Sequence, residues 1–240
     1  MNILFVDILT DDPVLRRRIE RESYAGKTYA ERCRQAFGIQ SEAWTVVYAS
    51  RGRLPNPKQF DSIVIGGSVE NPVDPKEDKP WMKKTYAFIR QAKAADVPML
   101  GICGGLQFVV RALGGEVIMN PRGRRIGTQV VTLTSAGRKH PVFTGLPSRF
   151  RQAATHRCII KKMLPGWKIL ATSDLSPFDA IAIGRRVVLT QFHPEMSRRT
   201  LSTIVRQRRA DIKREGTRLP TLRLPVGPSK KILTNFLGMI

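Results

Sequence analysis

The sequence predicts an α/β fold: a mostly parallel central sheet flanked by helices, with a small antiparallel layer added. Three observations carry this. Short apolar runs of strand length recur from the N-terminus to residue 192. The early ones alternate with segments of helical apolar spacing. Beyond residue 115 the helices give way to short strands separated by turns. Strand–helix alternation favours parallel pairing, because a parallel neighbour needs a crossover and a helix supplies it.

Each element can be justified in turn. NILFVD (2–7) is a buried strand at the start of the chain. A charged stretch runs from it to about residue 40. Within that stretch TYAERCRQAFGI places Tyr29, Cys33, Ala36 and Phe37 at helical spacing and stops at Gly38. AWTVVYAS (43–50), rich in aromatic and β-branched residues, is a second strand, and DSIVIGGS (61–68) a third that ends in a Gly-Gly turn. WMKKTYAFIRQAKAADV (81–97) is an amphipathic helix with Met82, Tyr86, Ile89 and Lys93 near one stripe. VPMLGIC (97–103) is the fourth strand, and GLQFVVRALGG (105–115) a helix stopped by a glycine pair.

QVVTLT (129–134), RCIIKK (157–162), KILATS (168–173), DAIAIG (179–184) and RVVLTQF (186–192) then read as short strands. They form an antiparallel layer and the return to the main sheet. Residues 197–214 are helical and very basic. RLPTLRLPVGP (218–228) holds three prolines, which exclude a regular helix or a central strand. KKILTNFLGMI packs back as a terminal helix. The expectation is one domain over 1–240 with a basic, proline-containing C-terminal extension at about 197–229. No repeat or low-complexity tract interrupts it.

Composition bounds the function loosely. Lys and Arg number 41 against 19 Asp and Glu, a net charge of +22. Such a chain favours acidic partners, and nucleic acid is compatible with it. The basic residues nevertheless fall in short scattered clusters, with no zinc-finger spacing and no aromatic-rich RNA-binding motif. Cys33, Cys103 and Cys158 are too widely spaced for a disulfide framework or a metal-ligand cluster, so no cofactor or metal is expected. MNILFVDILTDD meets acidic residues too early for a signal peptide, and no apolar stretch approaches the roughly 20 residues of a membrane span. A cytoplasmic protein is expected.

Residues 100–107, LGICGGLQ, carry the chemistry. They join a strand to a helix at a strand's carboxyl end, where α/β folds gather ligands. Gly101-x-Cys103-x-Gly105 is the cysteine form of a nucleophile elbow: small neighbours let a strained turn lift the side chain out of the sheet. The helix N-terminus that follows favours a negatively charged sulfur. The N–H of Gly104 is placed to bind an oxyanion. On its own the turn fits a buried core thiol equally well.

A nucleophilic cysteine needs a base, and the base needs an orienting group. Of His140, His156 and His193, only His193 stands at the end of a strand predicted beside the elbow. Glu195 follows two positions later. In extended backbone both face the same side, so Glu195 can hold one imidazole nitrogen while the other meets the sulfur. His140, before Pro141, belongs to a turn.

GICGGLQ, followed ninety residues later by QFHPE, resembles the class I, triad-type glutamine amidotransferases. VIGGSVENP is similar to that family's oxyanion loop. LGG (113–115), IGTQVVTLT, ATHRCII, LPGWKILATSD, PFDAIAIG and the terminal NFL fall where the family has its characteristic segments. The likeness covers roughly residues 1–196 and 230–240, and is nearest to the amidotransferase domain of GMP synthases. It implies a flavodoxin-like sheet and hydrolysis of the glutamine side-chain amide through a γ-glutamyl thioester on Cys103. His193 would shuttle protons and Glu195 would orient it. Gly67 and Gly104 would form the oxyanion hole, with Gly66, Gln107 and His156 as substrate contacts. The ammonia would pass to a separate synthase, since the chain shows no ATP-binding domain of its own.

Three departures bear on the substrate. Ser68 replaces the usual proline after the paired glycines, Arg125 replaces an acidic residue, and His156 is followed by Arg157 and Cys158 without the usual aspartate. The alternative reading is therefore a stand-alone γ-glutamyl hydrolase or peptidase, acting on a larger γ-glutamyl compound with the same triad.

Overall fold

Five apolar runs lie side by side and parallel at the centre of the molecule. The computed structural model describes residues 1–174, 176–216, 222 and 229–240. The elements begin with β1 (Ile3–Asp7), α1 (Pro13–Ser23), α2 (Tyr29–Phe37), β2 (Trp44–Tyr48), β3 (Ser62–Ile65), α3 (Pro80–Ala94), β4 (Met99–Ile102) and α4 (Gly104–Ala112). They continue with β5 (Glu116–Met119), β6 (Arg125–Leu133), the single turn α5 (Ser135–Arg138), β7 (Arg149–His156), β8 (Cys158–Lys162) and β9 (Lys168–Thr172). Last come β10 (Ala180–Ile183), β11 (Val187–Thr190), α6 (Arg198–Gln207), α7 (Arg209–Arg214) and α8 (Ser229–Leu237).

Among the described residues the central sheet has nine strands in the order β2-β1-β3-β4-β11-β10-β9-β6-β7. The first five are mutually parallel; from β11 onward each strand pairs antiparallel with the next. Only β5 and β8 stand apart, as a two-stranded antiparallel sheet. The fold is thus α/β with a mostly parallel sheet flanked by helices and a small second sheet. Most of the antiparallel strands extend the central sheet itself. β1, β3, β4 and β11 are buried at every position, as strands covered on both faces must be. α3 and α4 cover one face, and α2 and α8 pack on the core of the other.

Local chemistry explains the elements that periodicity missed. Six of the eleven residues of α1 are charged, so no apolar stripe marked it. It starts because Asp12 accepts the N–H groups of Val14 and Leu15 and Pro13 occupies the first turn. It stays because Arg16 is buried against Asp7 at the end of β1, with bonds of 2.8 and 2.9 Å. α2 behaves as its spacing predicts, capped by Thr28 and ended by Gly38 at φ 70°. β7 escaped detection because Phe150 is its one large apolar side chain and its other buried positions hold Gln152, two alanines and His156. The proline-rich stretch 218–228 lies outside the described residues apart from Leu222.

Candidate active site

Parallel pairing puts the carboxyl ends of β1, β3, β4 and β11 along one edge, and the predicted nucleophile stands there. Cys103 closes β4 at φ 52°, ψ −100°, a region that a residue with a Cβ rarely occupies. Its N–H donates to Thr190 O on β11 at 2.7 Å, which pins the turn. The glycines beside it provide space. A Cβ on Gly105 would lie 2.2 Å from Ile65 O, and one on Gly104 2.4 Å from Ser68 N. The elbow therefore sits flush against the loop after β3. Cys103 is 4% exposed. Its sulfur lies 3.8 Å from Thr155 O, and Gln191 Nε2 donates to it at 3.7 Å.

His193 follows the end of β11 and is held by a backbone bond from its N–H to Ala153 O, 2.9 Å. Its Nδ1 meets Glu195 Oε1 at 2.7 Å, with both side chains buried. Burial pushes the imidazole's pKa down, but the Glu195 carboxylate and the Cys103 sulfur push it up and prevail, at about 10. The imidazole therefore carries a proton at neutral pH, and Cys103 is its electrostatic neighbour. The sequence-predicted Cys103, His193 and Glu195 come together at one point.

One partner at this point was not predicted. The Tyr29 hydroxyl, from α2, donates to Glu195 Oε1 at 3.1 Å and accepts the N–H of Gly67 at 2.8 Å. Burial keeps that hydroxyl's pKa well above its ordinary value, so it remains a donor. Tyr29 thus ties the loop after β3 to the triad acid. No local signal revealed this: the two residues are 166 positions apart, and Tyr29 sits at a core-like helix position. Gly67 lies against the His193 ring, where a Cβ would come within 3.3 Å of Cε1. Its N–H is engaged by Tyr29, while Ser68 adds an N–H next to Gly104 that a proline would lack.

Above the sulfur is a cavity of about 690 Å³, reached by Gly67, Cys103, Gln107, His156 and His193. Gln107 Nε2 donates to Cys158 O at 3.3 Å, and His156 Nδ1 meets the same carbonyl at 3.0 Å. A carbonyl only accepts, so Nδ1 carries the ring proton. Burial lowers the His156 pKa to about 4, so the ring is neutral and its Nε2 offers a lone pair with no partner among the described residues. Gly66 faces elsewhere. Its N–H donates to Val6 O, and Phe5 and Tyr29 fill the place a side chain would take. His140 caps the turn at Pro141, accepting the N–H of Val142 at 3.3 Å. Arg18, Arg124, Arg157 and Arg208 also reach the cavity; the sequence showed Arg18, Arg124 and Arg208 only as parts of scattered basic clusters, and Arg157 as the residue that follows His156. Among the described residues no three His, Cys, Asp or Glu are grouped to hold a metal ion, and no helix is long and apolar enough to cross a membrane.

Comparison with known proteins bears on the whole arrangement. The chain is 30% identical over 161 residues to a glutamine amidotransferase-like protein, YfeJ, of Salmonella typhimurium, covering 65% of each. It is 38% identical over 109 residues to a GMP synthase [glutamine-hydrolyzing] of Thermomicrobium roseum, covering 45% of this chain and 20% of that one. Against gamma-glutamyl peptidase 3 of Arabidopsis thaliana the identity is 25%, over 70% of this chain and 69% of the peptidase. The match thus spans a fifth to about two thirds of these relatives' lengths. The crystal structure of a glutamine amidotransferase from Methylobacillus flagellatus superposes with a TM-score of 0.70 at 17% identity, over 100% of this chain and 95% of that one. The family model "Glutamine amidotransferase class-I" matches residues 25–209, a span that includes Tyr29, Cys103, His193 and Glu195. This chain belongs to the class I glutamine amidotransferase family.

Proposed function

We propose that the chain hydrolyses γ-glutamyl amides through a thioester on Cys103. The observation that carries this is the junction of three residues from distant parts of the sequence: a strained cysteine at the end of β4, a protonated imidazole beside it, and a carboxylate 2.7 Å from that imidazole.

The steps follow from the geometry. The Cys103 sulfur, as thiolate, attacks the amide carbon of the γ-glutamyl group. The N–H of Gly104, at the free N-terminus of α4, takes the developing oxyanion, with the Ser68 N–H beside it. His193 Nε2 gives its proton to the departing nitrogen, and the C–N bond breaks to leave a thioester. The imidazole, now neutral, accepts a proton from water, whose oxygen attacks the thioester and releases glutamate. Glu195 holds the ring throughout and balances its charge. The bare Nε2 of His156 suits the substrate's α-ammonium, which is a pure donor.

Glutamine is the smallest substrate of this kind, and the likeness to GMP synthase supports a second use of the same chemistry, in which the released ammonia passes to a separate synthase. Release of ammonia from glutamine and of amine from several γ-glutamyl compounds, compared in wild type and Cys103→Ala, tests the proposal. Equal release by both proteins would sink it.

A further inference from the structure

The wall of the cavity is charged in a way that free glutamine does not use. A volume of about 690 Å³ falls well within the roughly 300–1,000 Å³ that encloses a drug-sized ligand. Cys103, His193 and His156 line it, and so do Arg18 of α1 and Arg208 at the junction of α6 and α7. The acidic side chains of the wall are already matched: Glu22 by Arg21 at 2.9 Å, Glu70 by Lys79 at 3.1 Å, Asp211 by Arg214 at 3.5 Å. Arg124 and Arg157 share Glu215, which their charges hold at a pKa of about 2. Arg18 and Arg208 have no carboxylate within ion-pair distance among the described residues. Arg208 is half-buried, sits near Arg124 and Arg157, and is within electrostatic reach of Cys103. A half-buried guanidinium among like charges is stabilised by an anion from outside.

The orientation of a substrate follows from Cys103 and His156. With its γ-carbon at the first and its α-ammonium at the second, the glutamyl group has both of these contacts taken up. What extends toward Arg18 and Arg208 is the leaving amine. Resting on the thioester reading above, we infer that this amine carries a carboxylate received by Arg208, with Arg18 across the cavity. The substrate class is then a γ-glutamyl amide of an amino acid. Cleavage breaks the C–N bond of that amide, the amine leaves with the proton from His193, and water completes hydrolysis to glutamate and a free amino acid.

γ-Glutamylglycine and γ-glutamylglycinamide have nearly the same size and differ in that one charge. They should be compared as substrates of the wild type, and as ligands of Cys103→Ala by calorimetry. The acid is expected to be favoured at least tenfold in kcat/KM and in Kd, less so at high salt. Arg208→Gln, and more weakly Arg18→Gln, should bring the ratio toward one. A ratio of one in the wild type overturns the inference. So does an Arg208→Gln variant that weakens both donors equally, which would assign Arg208 to the α-carboxylate they share. If the wild type turns over neither donor nor glutamine, the thioester reading fails, and the ratio of Kd values alone decides the subsite.

Discussion

In the parallel half of the sheet, Asp7 at the end of β1 is met by Arg16 through two hydrogen bonds and by the N–H of Leu9 at 2.9 Å. In the antiparallel half, Asp179 at the head of β10 is equally buried but among the described residues has no cation bonded to it. Gln129 Nε2 donates to it at 3.1 Å, and burial raises its pKa to about 7 despite Ser173, Ser176 and Arg125 nearby. One half fixes its buried charge in an ion pair, and the other suppresses it by keeping a proton. The same division runs through the site. The parallel half supplies the nucleophile and the loop of Gly67. The loop before β6, strand β7, the segment after it and the helices beyond β11 supply Arg124, Thr155, His156, Arg157 and Arg208, while Arg18 comes from α1 in the parallel half. On the function proposed above, the reacting groups and most of the side chains that would set selectivity therefore come from different segments, with Arg18 the exception.

The largest expected effect tests whether the parallel half alone supplies the reaction. Cys103→Ala should lower γ-glutamyl amide hydrolysis by on the order of 10⁴-fold or more, with little change in thermal stability. Cys103→Gly should be equally inactive but more stable, because glycine relieves a positive φ that costs on the order of 1–3 kcal/mol at a residue with a Cβ. A denaturation midpoint below that of Cys103→Ala would show that the turn stores no such strain.

Breaking the ion pair comes next. Arg16→Ala leaves Asp7 buried and uncompensated, which should cost about 3–5 kcal/mol in urea unfolding. It should also loosen α1 and with it the wall that carries Arg18. A loss below about 1 kcal/mol would mean that water reaches Asp7 freely and that the contrast between the halves is not one of buried charge.

The antiparallel half should respond to pH instead. Between the ordinary carboxyl value near 4 and about 7, native Asp179 keeps a proton that the unfolded chain has released. Its contribution is fully present below that window and is lost as pH rises through about 7. Asp179→Asn should remove this slope and stabilise the protein at neutral pH by on the order of 2 kcal/mol relative to wild type. Parallel stability curves for the two proteins from pH 4 to 8 would refute the assignment.

How much of this was legible in the sequence depended on whether the signal was local. β1, β3, β4 and β11 are continuous apolar runs, and two-sided burial demands that pattern, so they could be read directly. The elbow was legible because its glycines are needed for close approach to the neighbouring loop, and that need is written within five residues. His193 and Glu195 were legible as a pair two positions apart, but the structure joins their side chains through a turn closed by Met196 N–H on His193 O at 3.3 Å and not along the extended chain that the sequence suggested. α1 was not, since its stability comes from Asp12 and from one buried arginine and not from an apolar stripe. β7 was not, because apart from Phe150 polar and small side chains take its buried places. Arg208 looked like any member of a basic cluster until the fold laid it beside the cavity.

Tyr29→Phe should have the smallest effect and reports on the seam between loop and triad. The hydroxyl makes one bond to Glu195 and one to the Gly67 N–H, each worth about 1 kcal/mol net. Losing the first lets Glu195 and the His193 ring drift, so kcat should fall about five- to tenfold while KM stays near its wild-type value, since Tyr29 does not reach the cavity above the sulfur. A purely structural tyrosine would lower stability and leave the pH profile alone. Here the profile should move. Activity is expected to decline as pH rises through about 10, where the imidazole gives up the proton it must deliver to the leaving amine. Without the tyrosine, the Glu195 carboxylate has one donor fewer and holds the imidazolium more strongly, so the decline should begin at higher pH. An unshifted profile in Tyr29→Phe would reduce the residue to packing between β1 and α2. A shifted one would show that the oxyanion loop and the triad acid are set by the same hydroxyl.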